Sequence, residues 1–455
     1  MQNEFPFPLQ QALRQHHPDC RLKIWWRQAI SHTPPSMEQE LHPVTSEVLQ
    51  GYGSAPNIFQ LRGIHTLAVC VNSKYDRESN QIDTDEMFPF LMTLPNLRHL
   101  ILEPDLFSID AASCFQAKEG WRKFAAVQLP SPAAVLESLS VNLFHEDIVL
   151  SLASSVELSR LRSLDIMEYA NPSKLAKIAA SFPNLERLFI PPNPGGRTNP
   201  ITGARREANH FIDDCDGIAA ICRFPPLKYL WLRALRSSGG LLQILQRHGS
   251  SLRGLILEPT RQTRTSNDGG YKYPELSAAD INRLSELCPN LEELRIQVKR
   301  SQGSQKETRL YKALGNIDNL RSLVLDLHYE PRSRPLRIAR EGDRDTVRKA
   351  LINAATDENL ALSIWDLIGS SQSTQQLRNL RVVPFGYHFF RVEEPYVLMY
   401  FSRSFLIRRY TGRGSPEIEE IGKEAREAWF EENLPVEEGE ESHLPDWLEK
   451  LLYEL

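Results

Sequence analysis

The sequence lacks the cysteine patterns that would indicate a disulfide framework or a zinc site. Its 455 residues include six cysteines, and no two of them form a CxxC pair. Irregularly spaced, unpaired cysteines are typical of a reducing compartment. We expect Cys70 and Cys288, at apolar positions of a predicted strand and helix, to pack as small hydrophobic residues.

Segments that would cross or enter a membrane are also missing. The most hydrophobic late stretch, residues 396–407, is too short to span a bilayer and contains Arg403. The N-terminus carries Glu4 and early prolines instead of a basic region followed by an apolar run. We therefore expect a protein of the cytoplasm or nucleus that has no membrane partner.

Motifs that would indicate an enzyme are absent. The chain has no GxSxG, no HExxH and no phosphate-binding P-loop, so we expect no catalysis, no cofactor and no metal. Asp213, Asp214 and Asp216 resemble the start of a calcium loop but lack the later glutamate ligand. Because acidic residues are favoured at helix starts, we interpret this cluster as a helix N-terminus.

A basic excess is missing too. The formal net charge is -5, whereas nucleic-acid-binding domains usually carry a clear positive excess. Residues 417–455 hold fourteen acidic and three basic residues, which leaves a net charge of +6 on the rest of the chain. The chain therefore has a mildly basic body and an acidic C-terminal segment. We do not expect a nucleic-acid partner.

What the sequence does contain is one short pattern, repeated along most of its length. The segment FPNLERLFI at 182–190 has close copies in LPNLRHLIL at 94–102 and CPNLEELRI at 288–296. The shared frame is apolar, two variable residues, apolar, one variable residue, apolar, which is the strand of a leucine-rich repeat. The first apolar residues of the copies are Ile64, Leu97, Leu136, Leu161, Leu185, Leu227, Leu252, Leu291, Leu320 and Leu380.

Three of the steps between copies are 24 or 25 residues, and the longer steps indicate insertions. All of the insertions follow a strand and precede a helix, so we expect them to emerge along one rim. Either they are tolerated surface loops or they form a wall that faces a partner. They comprise residues 72–90, 105–130, 191–211, 258–276, 299–309 and 329–344.

Between the strands, the apolar period changes from two to 3.6, as a strand-plus-helix repeat requires. One helical stripe consists of Leu175, Ile178, Ala179 and Phe182, with Asn171 as its expected N-cap. Ser277 and Asp280 have the spacing of a capping box. Gly249 is expected to end a helix from Leu241 as a left-handed cap.

These features predict an α/β fold, a leucine-rich-repeat solenoid of horseshoe shape, with parallel strands on the concave face and helices on the convex face. An N-terminal helix and strand unit would occupy residues 1–60, and the solenoid residues 61–388. A C-terminal cap and an acidic helical tail would occupy residues 389–455. Within the C-terminal part, we interpret residues 417–429 as an amphipathic helix and residues 364–410 as the capping unit.

Several segments resemble the repeat portion of fungal F-box and leucine-rich-repeat proteins. The resemblance is carried by RQHHPDCRLKIW at 14–25, the PNLxxLxL repeats, ENLALSIWDLI at 358–368, LRNLRVVPFG at 377–386 and FSRSFLIRRY at 401–410. In that family, an F-box ahead of the repeats docks the protein on a cullin ubiquitin-ligase adaptor. Here the repeat-like sequence begins too early to leave room for one. Either the coding sequence starts further upstream, or this is a relative that kept only the recognition surface.

The strand frame also points to a binding surface. The residue between the second and third apolar positions faces away from the core, and Phe189, Trp231 and Ile256 hold this position in consecutive repeats. Exposed aromatic residues beside arginine are typical of protein-binding hot spots; the other interpretation is that a loop or the tail covers them. The predicted partner-binding residues are Arg187, Phe189, Tyr229, Trp231, Arg233 and Ile256.

We therefore expect an intracellular protein-protein interaction module that binds an unidentified protein through its concave face or rim loops. The resemblance implies a substrate-recognition component of a ubiquitin ligase. The alternative is an enzyme or a nucleic-acid-binding protein on the same scaffold, against which the missing motifs and the acidic balance count.

The resemblance leads to a prediction about ligase docking. Because nothing ahead of residue 9 could form the docking helices, the purified chain should not bind the cullin-ligase adaptor, as measured by titration calorimetry. Micromolar binding would contradict this expectation. An upstream reading frame that encodes a Leu-Pro helical segment would favour the first of the two explanations.

Overall fold

The structure, a computed structural model, describes fourteen parts of the chain. The chain divides into two compact units, one holding Met1–Pro191 and Ala219–Pro225, the other Pro192–Ile218 and Pro226–Leu455. The predicted boundaries at residues 60 and 388 stay a prediction. The described residues are 22–26, 64–71, 96–104, 135–141, 152, 157–166, 172–190, 215–233, 235–261, 271–329, 344–372, 375–386, 402–410 and 415–433.

In the first unit, the described strands pair in the order in which they follow along the chain. Each strand is parallel to the next. Parallel neighbours need a crossover connection, and helix α1 (Pro172–Ile178) lies in the connection between the last two strands. The strands are β1 (Leu22–Trp26), β2 (Ile64–Val71), β3 (His99–Pro104), β4 (Ser138–Val141), β5 (Ser163–Ile166) and β6 (Arg187–Ile190).

In the second unit, five of the described strands repeat the parallel arrangement, and the two described strands that follow them along the chain pair antiparallel. The parallel strands are β7 (Tyr229–Arg233), β8 (Gly254–Glu258), β11 (Glu293–Lys299), β12 (Ser322–Tyr329) and β13 (Asn379–Gly386). The antiparallel strands are β14 (Ser404–Arg408) and β15 (Glu417–Ile421). A two-stranded hairpin of β9 (Thr260–Arg261) and β10 (Tyr271–Lys272) follows β8.

The helices that follow α1 lie between these strands, singly up to β12 and as a pair between β12 and β13, and the last described helix follows β15. Stacked strand-and-helix repeats with parallel strands make each unit an α/β repeat structure of the solenoid type. The helices are α2 (Cys215–Cys222), α3 (Ser238–His248), α4 (Ala278–Leu287), α5 (Gln305–Leu314), α6 (Arg344–Ala354), α7 (Glu358–Gly369) and α8 (Lys423–Asn433).

The leucine frame is the core of both units. The predicted first leucines from Leu97 to Leu320 are all at most 2% exposed. In the last repeat the assignment of Leu380 as the first leucine was wrong, because Leu380 pairs with Leu323, a second-position residue. The first position belongs to Leu377, which is 1% exposed. The segment LRNLRVV fits the frame in two ways, and only the strand register distinguishes them.

One backbone contact recurs at nearly every step between repeats, and we call it the carbonyl clamp. The carbonyl oxygen of the residue after the first leucine accepts hydrogen bonds from two consecutive N–H groups of the next repeat. In the first unit, the Arg98 oxygen accepts from the N–H of Glu137 at 2.8 Å and of Ser138 at 3.0 Å. In the second unit, the Lys228 oxygen accepts from Arg253 at 2.7 Å and from Gly254 at 3.0 Å. The clamp fixes the register of successive strands.

A side-chain contact explains the asparagine of the PN pair. The Nδ2 group of Asn184 donates to the Ser159 carbonyl at 2.8 Å, and Asn290 donates to Ser250 at 2.9 Å. Asn319 makes the same bond to Pro289 at 2.7 Å. Each asparagine therefore satisfies a carbonyl at the helix-to-strand turn of the preceding repeat, where the backbone has no helical partner.

Most of the predicted helix features are confirmed. Leu175, Ile178, Ala179 and Phe182 are all at most 3% exposed, and Ser277 with Asp280 forms the capping box of α4. The expected cap Asn171 lies outside the described residues.

The left-handed cap at Gly249 was wrong, since this residue has φ of -57° and begins a short 3-10 turn. A side chain at Gly249 would collide with the Leu287 carbonyl oxygen. The glycine is therefore required by close packing between neighbouring repeats and not by its backbone angle.

The C-terminal segment differs from the prediction of one helix over 417–429. Glu417–Ile421 is the strand β15, paired antiparallel with β14, and the helix begins only at Lys423. Gly422, with φ of 75°, separates the two elements. The EIEEI alternation has a period near two, and pairing with β14 decides for the strand. The tail beyond Asn433 lies outside the described residues.

Of the predicted rim insertions, the one at 299–309 is short, because α5 already begins at Gln305. Its turn is held by the buried carboxylate of Glu307, which accepts hydrogen bonds from the Ser301 N–H at 2.7 Å and the Gly303 N–H at 3.1 Å. Arg300 and Tyr311 bind the other oxygen at 2.7 and 2.9 Å. Burial alone would raise the pKa of Glu307, but the Arg300 charge and these hydrogen bonds together lower it. Residues 72–90, 105–130, 191–211 and 330–343 lie outside the described residues.

The burial of the frame leucines leads to a prediction about stability. Leu188 on β6 is 1% exposed, so Leu188→Ala should lower the free energy of unfolding by about 2 to 5 kcal/mol. Lys177→Ala, at an exposed position of α1, should change it by less than about 0.5 kcal/mol. Urea titration measures both. A loss below about 1 kcal/mol for Leu188→Ala would contradict the assigned strand register.

Candidate binding face

Along the strands of the second unit, core leucines alternate with residues that point to the opposite side of the sheet. On β11, for example, Leu294 and Ile296 are buried whereas Arg295 between them is half-buried. We call this opposite side the open face. It consists of Tyr229, Trp231, Arg233, Ile256, Glu258, Arg295, Gln297, Val324, Asp326 and Arg381.

Four of the six predicted partner-binding residues lie on this face. Trp231 on β7 stands beside Ile256 on β8, and both side chains are half-buried. Tyr229 is half-buried and Arg233 is exposed on the same strand. Arg187 and Phe189 lie on β6 in the first unit, one exposed and one half-buried. That they join the other four in one patch stays a prediction.

Gly254 shapes the face next to these residues. It pairs with Tyr229 in the register of β7 and β8, and a side chain at Gly254 would collide with the tyrosine ring. Glycine inside a strand often marks such a close approach. Gly254 therefore leaves room for the ring of Tyr229 to lie across the sheet.

A chain of alternating charges on this face was not predicted from the sequence. The guanidinium of Arg233 lies 2.8 Å from one oxygen of Glu258, whose other oxygen is 2.9 Å from Arg295. Arg295 then binds both oxygens of Asp326, at 2.9 and 3.2 Å. Two arginines and two carboxylates on four neighbouring strands thus neutralise one another. The signal was present in the sequence, but it is visible only when the repeats are aligned in register.

The far end of this ion-pair chain is buried. Asp326 is 2% exposed, as is Gln297, whose Nε2 donates to Asp326 at 3.0 Å and to the Leu257 carbonyl at 2.6 Å. Burial raises the pKa of Asp326, while the hydrogen bond and the charge of Arg295 oppose this shift. A bidentate pair between a buried carboxylate and a half-exposed arginine fixes the geometry of that arginine.

A second cluster missed by the sequence analysis lies where β12 and β13 end. The Tyr273 hydroxyl is 2.6 Å from Nδ1 of the buried His328. The His328 ring stacks on Phe385 with ring centroids 4.9 Å apart. Tyr273 belongs to the predicted insertion 258–276, so at least this residue of the rim packs against the strands.

The described residues hold neither a group of acidic, histidine and cysteine side chains that could bind a metal nor a helix long and apolar enough to cross a membrane. Asp216 lies in the first turn of α2 and is exposed, as a helix start would have it, while Asp213 and Asp214 lie outside the described residues. Cys288 is buried, and burial raises the pKa of its thiol to about 12. It therefore packs as a small hydrophobic residue, as predicted, whereas the Cys70 side chain lies outside the described residues.

Neither the protein-family models nor the curated proteins compared with this chain give a match. Among solved structures, the chain is similar to the leucine-rich-repeat-containing protein LegL7 from Legionella pneumophila. The sequences are 14% identical, the match covers 67% of this chain and 90% of that one, and the TM-score is 0.33.

The buried carboxylate leads to a prediction about pH dependence. The pKa of Asp326 is raised above its usual 3.8 in the folded state, so ionisation disfavours the fold as the pH rises from 3.8 through the folded-state pKa. Asp326→Asn removes this penalty. The stability of the variant relative to the native protein should therefore increase as the pH is raised from 3 to about 7.

Glu307 provides the opposite case, because its pKa is lowered below 4.5. The stability that it contributes is present above 4.5 and is lost as the pH falls through the folded-state pKa. Glu307→Gln should thus become less stable relative to the native protein as the pH rises. Urea titrations across this pH range test both variants, and parallel curves for the two would contradict the assigned shifts.

Proposed function

We propose that the chain is a protein-binding repeat module and that the open face of its second unit contacts the partner. The observation that supports this most is the half-buried row of Trp231, Ile256 and Val324, in which Arg295 of the ion-pair chain stands between Ile256 and Val324. A large aromatic anchor next to positioned arginines is the composition of protein-binding hot spots. The chain has no catalytic role in this proposal.

The ion-pair chain favours recognition in a second way. Arg295 is held by Glu258 on one side and by Asp326 on the other. A side chain that is already fixed loses little rotamer freedom when a partner binds, which reduces the entropic cost of association. Fixed charges of known sign also discriminate between partners through electrostatic complementarity.

The finer part of the proposal comes from the sequence resemblance. We propose that the open face is the concave face of a horseshoe-shaped solenoid, and that the protein works in the cytoplasm or nucleus as a substrate-recognition component of a ubiquitin ligase. The resemblance of the repeats and of the 358–368, 377–386 and 401–410 segments supports this role.

Trp231→Ala tests the open face. If the half-buried ring serves mainly as an anchor, its removal should weaken the free energy of binding to the partner captured from a fungal lysate by about 2 kcal/mol or more. The free energy of unfolding should change by much less than the value of about 3 to 5 kcal/mol for a core aromatic residue. Tyr410→Ala is the matched control, because Tyr410 is 43% exposed and lies away from this row; it should leave capture unchanged.

Two results would count against the proposal. If Trp231→Ala lowers the denaturation midpoint as a core substitution would, the ring is covered and belongs to the core. If the variant folds normally and captures the same partners with equal strength, the row is not the binding surface, and the rim loops become the next candidates. Capture repeated with and without the ubiquitin-ligase adaptor separates the ligase role from the binding role.

A further inference from the structure

The residue that follows the first leucine of a repeat occupies the same structural position in each described repeat of a unit. Its N–H and carbonyl groups make the carbonyl clamp, and it lies where the parallel strands begin. We call the set of these residues within one unit the edge ladder. In the first unit it consists of His65, Arg98, Glu137, Arg162 and Glu186, and in the second of Lys228, Arg253, Glu292, Arg321 and Arg378. Arg409, which follows the antiparallel strand β14, continues the second row, because its N–H donates to the Arg378 carbonyl at 2.8 Å.

The fold does not require a basic residue at this position. The clamp uses only backbone atoms, and in the first unit acidic residues take part in it as arginines do: the Glu137 carbonyl accepts from Arg162 and Ser163, and the Glu186 N–H donates to the Arg162 carbonyl. There the signs alternate, and Arg98 lies 3.6 Å from Glu137. The charges of the first edge ladder therefore largely neutralise one another.

The second edge ladder differs, because four of its five members are basic. Its one acidic member, Glu292, is shared by Arg253 and Arg321, each at 3.7 Å. These two arginine side chains remain 56% and 51% exposed. Arg378 is exposed and forms no ion pair with any residue that the structure describes.

The remaining contacts of this edge do not cancel the excess. Arg409 lies over the ring of Trp365, with its guanidinium 4.9 Å from the ring centroid. An aromatic ring does not neutralise the arginine charge as a carboxylate would. Two further acidic residues stand nearby, Glu293 in the next position of β11 and Asp318 in the turn before β12. Even without Lys228, the arginines Arg253, Arg321, Arg378 and Arg409 outnumber the three acidic residues at this edge. Because the fold leaves the residue type free, this excess calls for a reason outside the fold.

We propose that the edge ladder of the second unit binds an acidic, extended segment of a partner protein. Neighbouring strands lie about 4.8 Å apart, so the clamp places the basic side chains along one line, interrupted by Glu292. An extended chain that runs along this line can bring its carboxylates against them. A nucleic acid is the less suitable polyanion, since the whole chain carries a net charge of -5. This surface is separate from Trp231 and goes beyond the proposed open-face function.

The test uses the purified full-length chain and a fluorescent twelve-residue peptide of alternating glutamate and glycine, with binding followed by anisotropy. The triple variant Arg253→Ala, Arg321→Ala and Arg378→Ala should bind the peptide about tenfold more weakly, as expected for the loss of three exposed charge contacts. Binding should weaken with added salt. Arg162→Ala, at the same position in the first unit, is the matched control and should bind like the native chain. Urea titration verifies that the variants are folded.

Several outcomes would overturn the proposal. No measurable peptide binding by the native chain does so, and so does an equal loss in the Arg162→Ala control. Tighter binding of a single-stranded oligonucleotide of the same charge would identify a nucleic acid as the ligand. Binding that appears only when Glu437, Glu438, Glu440 and Glu441 are replaced by glutamine would show that the chain's own acidic tail is the occupant.

Discussion

The carbonyl clamp is the contact on which the rest of the structure depends. One oxygen, such as that of Arg98 or Lys228, accepts two N–H groups of the next repeat, and this leaves no choice of register between the two strands. A slip by one residue would turn every core leucine to the other face of the sheet. The stacked leucines, the paired rows of the open face and the regular spacing of the edge ladder all follow from this one constraint.

The strand frame could be predicted from the sequence because burial imposes it locally. Each leucine of the frame must reach the core, so its spacing is visible in a single repeat, and residues such as Leu185 and Leu291 are buried as predicted. Features that depend on contacts with a second repeat were harder to predict from the sequence. Gly249 is small because Leu287 of the next repeat lies against it. Glu417–Ile421 is a strand because β14 offers it a partner.

In the candidate site, too, features set within one repeat could be predicted from the sequence, and features set between repeats could not. Trp231 and Ile256 were found from the frame, because one repeat is enough to show which residue points away from the core. The chain from Arg233 through Glu258 and Arg295 to Asp326 was not, since its members lie up to several repeats apart and meet only through the register. Each of these residues alone reads as an ordinary surface charge. Nothing in the sequence of the repeat that contains Asp326 predicts that this residue is buried.

The asparagine bonds have a consequence for how such a chain can change. Asn184 reaches back 25 residues to its carbonyl, Asn319 reaches 30 and Asn290 reaches 40, yet the three bonds have nearly the same length. The contact between repeats is therefore indifferent to the amount of chain that is looped out between them. Evolution can lengthen, shorten or replace these loops without disturbing the stack. A protein engineer can for the same reason graft foreign segments there and keep the scaffold.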